Sequence, residues 1–161
     1  MERKKTLARD LMSRPVFQLT AWTPIADAAA FLLRHGISGA PVINEHGTWI
    51  GVFTQNDLAR AVQVRLIRPE VQRTLEHREP ALDVFAMPPE ELRRTPVRKF
   101  MTLGLYTVFP DATKKEVVRT MTKFHIHRVF VIDEEKGNLL GVITTMDLLR
   151  TQYPVHSSRR G

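Results

Sequence analysis

Along this chain the spacing of apolar positions changes in a fixed order, and the same order then returns. Within about residues 25–35, Ala29, Leu32 and Leu33 recur at helical spacing. Within about 114–124, Val117, Val118, Met121 and Phe124 do the same. An extended segment precedes each helix, at Val16–Leu19 and Leu105–Val108. After each helix two short apolar runs predict strands, about 40–43 with 48–53 and about 129–132 with 138–143. The turns between them read "NEHGTW" and "DEEKGNL", each with a glycine suited to a hairpin. A second helix is expected to begin near Asp57 and near Asp147. The order is strand, helix, strand, strand, helix, twice.

The two passes are copies of one unit. Gly51-Val-Phe-Thr-Gln-Asn-Asp-Leu58 and Gly141-Val-Ile-Thr-Thr-Met-Asp-Leu148 share glycine, valine, threonine, aspartate and leucine in the same slots. Upstream, "GISGAPVIN" corresponds to "HIHRVFVID", and the lead-in "DLMS" to "KFMT". Neither copy, at about fifty residues, buries enough surface to be comfortable alone. Two copies sharing a core imply a pseudo-twofold axis. Residues 63–98 join them and read as an ordered, helical and proline-rich connector, in which "PPEELRR" predicts a short helix with acids in its first turn.

Composition narrows the class. The chain has 161 residues and no cysteine, which excludes disulfides, thiolate metal sites and a cysteine nucleophile, and suits a cytoplasmic location. No stretch approaches the roughly 20 apolar residues that span a bilayer, so no membrane association is expected. The charged start, "MERKKTLARDLM", does not read as a secretory signal. Net charge is +7, with much of the excess at the two ends. Basic ends can touch nucleic acid, but these runs are short and lack interleaved aromatics, as solvated tails do.

Candidate chemistry centres on the strand-to-helix junctions. Thr54 with Asp57, and Thr144 with Asp147, have the spacing of a helix N-cap with an acid at the third position. The same geometry suits a ligand. A helix N-terminus binds anions, a threonine hydroxyl adds to it, and an aspartate one turn on accepts both hydroxyls of a ribose. Capping and binding are compatible. His125 and His127 form an H-x-H pair without an evident third metal ligand, and His127 reads rather as a phosphate contact. Arg128 is placed either for a phosphate or for a surface ion pair. No nucleophile with a base, P-loop or Rossmann glycine pattern is present, so the chain does not read as an enzyme.

The paired "GVFTQNDL" and "GVITTMDL", the segments before them and the lead-ins "DLMSRPV" and "KFMTLGL" resemble a tandem pair of cystathionine-beta-synthase (CBS) domains, a Bateman module. The resemblance covers about 10–62 and 99–151, leaving a basic tail at 1–9, the connector at 63–98 and a second tail at 152–161. It implies an α+β fold of two pseudo-twofold-related β-α-β-β-α repeats packed through their sheets. It also implies a regulatory module without a catalytic cofactor, which binds AMP, ADP, ATP or S-adenosylmethionine in clefts between the repeats. Such modules often form homodimers, and this one would act on an unidentified effector protein.

Carried over by position, the resemblance assigns Asp57 and Asp147 to ribose, and Thr54 and Thr144 to phosphate. It assigns the base slot to Ile37, Gly39, Ala40 and Pro41 in one copy and to Ile126, Arg128 and Val129 in the other, with Thr107 a further contact. For Ile37, Ile126 and Val129 core packing is the competing role. The sequence departs from the family pattern at Phe130, which stands where the first copy has Pro41, and at Pro24, where a threonine is usual. A ligand-free interaction scaffold and a nucleic-acid-binding protein are the alternative functions.

Overall fold

The structure, a computed structural model, describes residues 5–66 and 90–152, the side chains of 63–66 excepted. Most of the predicted connector, 67–89, lies outside the described residues.

The chain divides into two compact units. One is Phe17–Gly104; the other joins Met1–Val16 to Leu105–Gly161. In the first, β1 (Leu19–Thr20) pairs in parallel with β2 (Gly39–Ile43), which runs antiparallel to β3 (Trp49–Thr54). Helix α2 (Ile25–His35) connects β1 to β2, and α3 (Gln55–Leu66) follows β3 without a loop. In the second unit, β5 (Thr107–Val108), α5 (Lys114–Lys123), β6 (Arg128–Ile132), β7 (Leu139–Thr144) and α6 (Thr145–Gln152) repeat the arrangement. The α+β repeat order expected from the sequence is present in both.

The spatial units differ from the contiguous repeats 10–62 and 99–151 in one respect: the lead-ins are exchanged. Helix α1 (Ala8–Leu11) and Ser13 pack on the second copy. There Ser13 and Val142 exchange backbone hydrogen bonds of 2.9 and 3.2 Å. Conversely, α4 (Glu90–Arg94), a 3₁₀ turn (Val97–Lys99) and β4 (Thr102–Leu103) pack on the first copy, where β4 extends the sheet beside β3. Each exchanged segment also caps a helix. The carbonyl of Thr95 accepts from Ile25 N–H (2.9 Å) at the start of α2, where Pro24 supplies no side-chain cap. That of Thr6 accepts from Lys114 N–H (3.0 Å) at the start of α5. These contacts satisfy helix-end donors that would otherwise be orphaned.

Periodicity decides which helical side chains enter the core. In α2 the buried positions are Ile25, Ala28 and Leu32; in α5 they are Val117 and Met121. Leu33, expected on the apolar face, is 83% exposed, and Val118 and Phe124 are also exposed. Leu33 and Val118 stand about 100° round the helix from their buried neighbours Leu32 and Val117, whereas Phe124 is the C-cap of α5, where the chain leaves the helix. Phe53, Val42 and Ala40 complete the first core, and Ile143, Val129 and Val131 the second. A fully buried side chain of this size contributes about 1.5–3 kcal/mol.

Helix α5 starts with a full capping box: Thr113 N–H and hydroxyl both donate to Glu116 Oε2 (2.6 and 2.7 Å). The backbone donor first, then the hydroxyl, hold the Glu116 carboxyl below its ordinary value, with Lys5 adding a smaller pull the same way. Both hairpins turn on an Asx motif. Asn44 Oδ1 accepts from His46 and Thr48 N–H, and Asp133 Oδ1 from Glu135 and Lys136 N–H. The hairpin glycines Gly47 and Gly137 have φ of +76° and +64°, which an L side chain rarely adopts.

Candidate functional site

At each strand-to-helix junction the chain turns from extended to helical within one residue, which aims the threonine and the aspartate at each other. Thr54 hydroxyl accepts from Asp57 N–H at 3.3 Å. Asp57 Oδ2 accepts from both Thr54 N–H and Thr54 hydroxyl, each at 2.8 Å. The second copy is nearly superimposable in these terms: 3.4 Å to Thr144 hydroxyl, and 2.8 and 2.7 Å to Asp147 Oδ2. The capping box expected from the spacing is therefore made twice. It places a carboxylate at the positive end of each helix.

The two junctions part ways at the other carboxylate oxygen. Asp57 Oδ1 meets Arg60 Nη2 at 2.5 Å, and the same nitrogen donates to the Phe100 carbonyl at 2.6 Å. The Asp57 side chain is 4% exposed. Asp147 Oδ1 accepts one long bond from the Ser13 hydroxyl, 3.3 Å, and Arg150 Nη1 stands 3.8 Å away. Its side chain is 11% exposed. Arg60, Phe100 and Ser13 escaped the sequence reading. Arg60 lies three residues after Asp57 on one helix, a spacing that does signal a pair. Ser13 is 134 residues from Asp147, and nothing local marks that contact.

The remaining candidates line the same strand ends. In the first copy Gly39 pairs with Thr54, Ala40 with Phe53 and Pro41 with Val52. Ala40 and Pro41 are buried, and Ile37 packs against the core. In the second, Arg128 pairs with Thr144 and Val129 with Ile143. Val129 is buried and Ile126 packs against the core, so both have the structural role that competed with binding. The His127 carbonyl accepts from Thr145 N–H at 3.1 Å, which seats the imidazole's residue beside the start of α6. Thr107 is on β5, paired with Phe130, and its side chain is exposed. The Phe130 ring is 2% exposed; it is part of the packed interior and not an open stacking surface. Thr144, Asp147, His127 and Arg128 thus gather at the strand-end edge of the second copy, and Thr54 and Asp57 with Gly39 at that of the first. Among the described residues no group of three His, Cys, Asp or Glu is placed to hold a metal ion, and no helix is long and apolar enough to cross a membrane.

This architecture, with its two matching junctions, defines the class. The CBS domain family matches residues 8–64 and again 97–153, and the chain belongs to that family. An uncharacterized protein of Methanocaldococcus jannaschii is 29% identical over 151 residues, covering 89% of each chain. In the A-adding tRNA nucleotidyltransferase of Aquifex aeolicus, 28% identical over 146 residues, the match covers 91% of this chain but 14% of the longer one. Among solved structures, a CBS domain pair in complex with 5′-methylthioadenosine and S-adenosyl-L-methionine matches with a TM-score of 0.70 at 23% identity. That match covers 92% of this chain and 97% of the other. CBSX2 in complex with AMP matches with a TM-score of 0.65 at 20% identity, covering 92% and 97%. At these identities the solved structures establish the fold.

Proposed function

We propose that this protein is a regulatory module that binds an adenosine-containing ligand, AMP, ADP, ATP or S-adenosylmethionine, at its strand-to-helix junctions. The observation that carries the reading is the Asp147 edge. A carboxylate at a helix N-terminus has one oxygen fixed by Thr144, while the other accepts one long neutral bond from Ser13 with Arg150 Nη1 3.8 Å away. A ribose diol donates to such a group, while Thr144, His127 and Arg128 lie where a phosphate would sit beside the positive helix end. Thr107 and Ile126 flank the slot for the base, with Val129 buried in the core beside them, as Ile37 and Gly39 do at the Asp57 edge, where Ala40 and Pro41 are buried. Solved CBS pairs carrying 5′-methylthioadenosine, S-adenosyl-L-methionine and AMP support the ligand class. The response then passes to a homodimer partner or an effector protein in the cytoplasm.

One observation favours a second reading, a ligand-free interaction scaffold. The internal caps alone give Thr54, Asp57, Thr144 and Asp147 a structural task. Thermal melts separate the two. At a hundred times its dissociation constant, a ligand stabilises the fold by about 2.7 kcal/mol. Wild type should shift with at least one of AMP, ADP, ATP and S-adenosylmethionine, and Asp147→Ala should lose that shift. Because removing the acid also disturbs a helix start, the ligand shift is read within each variant against its own ligand-free melt. No shift in wild type with any of the four favours the scaffold.

A further inference from the structure

The two junctions are built from the same residue types, yet one is latched. We infer that Arg60 keeps the Asp57 edge closed, so that the adenosine ligand is taken at the Asp147 edge; this rests on the function proposed above. Arg60 Nη2 bridges Asp57 Oδ1 and the Phe100 carbonyl at 2.5 and 2.6 Å. The Phe100 carbonyl is a fixed seat. It ends the 3₁₀ turn at Val97–Lys99, where Phe100 N–H and Met101 N–H both donate to the Val97 carbonyl (2.9 and 2.8 Å), and Val97 itself is buried. Counted through the repeat, Arg150 corresponds to Arg60 and Leu11 to Phe100. In that half the guanidinium is 3.8 Å from Asp147 Oδ1, and the nearest donor to that oxygen is the neutral Ser13 hydroxyl at 3.3 Å.

The difference decides which carboxylate a ribose can claim. At Asp147 a ribose hydroxyl replaces one long neutral bond with a better one. At Asp57 it must displace a cation. Charge-assisted hydrogen bonds are about twice as strong as neutral ones, and the carboxylate left behind would be an almost fully buried anion with neutral partners only. The exchange also strips the Phe100 carbonyl of its arginine donor. The competent fraction of the Asp57 edge is therefore small, and its apparent affinity falls in proportion. A weakening of about tenfold or more is expected. Arg60 is thus a residue that sets where the ligand goes, acting through Asp57.

Isothermal titration of the full chain with AMP, ATP and S-adenosylmethionine in parallel tests this. Wild type should bind one equivalent per chain and Asp147→Asn none. Arg60→Ala should bind two, and Arg60→Ala with Asp147→Asn one, now at Asp57. Arg60→Gln, which keeps most of the aliphatic stem and a neutral donor, should behave as Arg60→Ala does, so a folding defect in one variant does not decide the result. Two equal sites in wild type, or a single site unchanged in both Arg60 variants, overturns the latch while leaving the binding reading intact. Lost binding in both folded Arg60 variants makes Arg60 a ligand contact and also overturns it. No heat with any probe, in wild type or variants, overturns the binding reading and the latch with it.

Discussion

At residue 125 the backbone is left-handed, with φ of +52°, and it carries an imidazole. The matching residue of the first copy is Gly36, at φ of +60°. Both close a helix the same way. Ile37 N–H reaches back to the Leu32 carbonyl, and Ile126 N–H to that of Met121, each at 3.0 Å. A side chain in this region costs roughly 1–2 kcal/mol relative to glycine, offset in part by glycine's larger freedom when unfolded. His125→Gly should therefore stabilise the protein by about 0.5–1 kcal/mol, read as a higher urea midpoint with unchanged slope. Gly36→Ala should move the midpoint the other way by a similar amount. If His125→Gly is no more stable than wild type, the imidazole contributes something that its exposed position does not show. The repeat made this pair legible in the sequence; the sign of φ at a non-glycine residue was not.

Among the elements, β3 and β7 show how far a local pattern reaches. The glycine opening "GVFT" and "GVIT" reads from the sequence as a strand residue of no special duty. In space it is the point where the exchanged lead-in crosses. A Cβ on Gly51 would stand 2.3 Å from the Thr102 carbonyl oxygen in β4, and one on Gly141 would stand 2.6–2.7 Å from the side chain of Met12. Overpacking of this kind costs typically 1–3 kcal/mol. Gly51→Ala should cost more than Gly141→Ala, because it meets backbone held in a sheet, whereas Met12 can in part swing aside. Thermal melts of the two variants check the order, and a Gly51→Ala protein as stable as wild type would mean that β4 does not lie there. The bounds of α2, α5 and the hairpin strands were legible to about a residue because apolar spacing is a local signal. By contrast β1, at Leu19–Thr20, lies later than the extended segment read at Val16–Leu19, and α3 and α6 begin at Gln55 and Thr145, ahead of Asp57 and Asp147. The exposure of Leu33, Val118 and Phe124 was not legible, because which face turns inward depends on what packs there.

For the molecule as a whole, the same division separates what could be read from what could not. Thr54 with Asp57 and Thr144 with Asp147 are visible in the sequence because each pair spans one helical turn. The contacts that make the two edges unequal, Ser13 on Asp147 and Arg60 on the Phe100 carbonyl, depend on the lead-in exchange, and no spacing within one copy records it. That exchange has a consequence for stability. Residues 6–13 supply Ala8 and Leu11 to the core of the second copy, the Thr6 carbonyl to Lys114 N–H and the Ser13 pair to Val142. Burial of Leu11 alone is worth about 1.5–3 kcal/mol, and two backbone donors lose their partners. Removing residues 1–13 should therefore loosen the second copy, ninety and more residues away in sequence. In native-state hydrogen exchange the Lys114 and Val142 amides should lose protection first. Those of Ala21 and Asn44, bonded to the carbonyls of Ile43 and Thr48 within the first copy, should lose less. Unchanged protection at Lys114 and Val142 would place the N-terminal lead-in on its own repeat and remove Ser13 from the Asp147 edge. A selective loss there would tie the N-terminal segment to the same edge at which the ligand is expected.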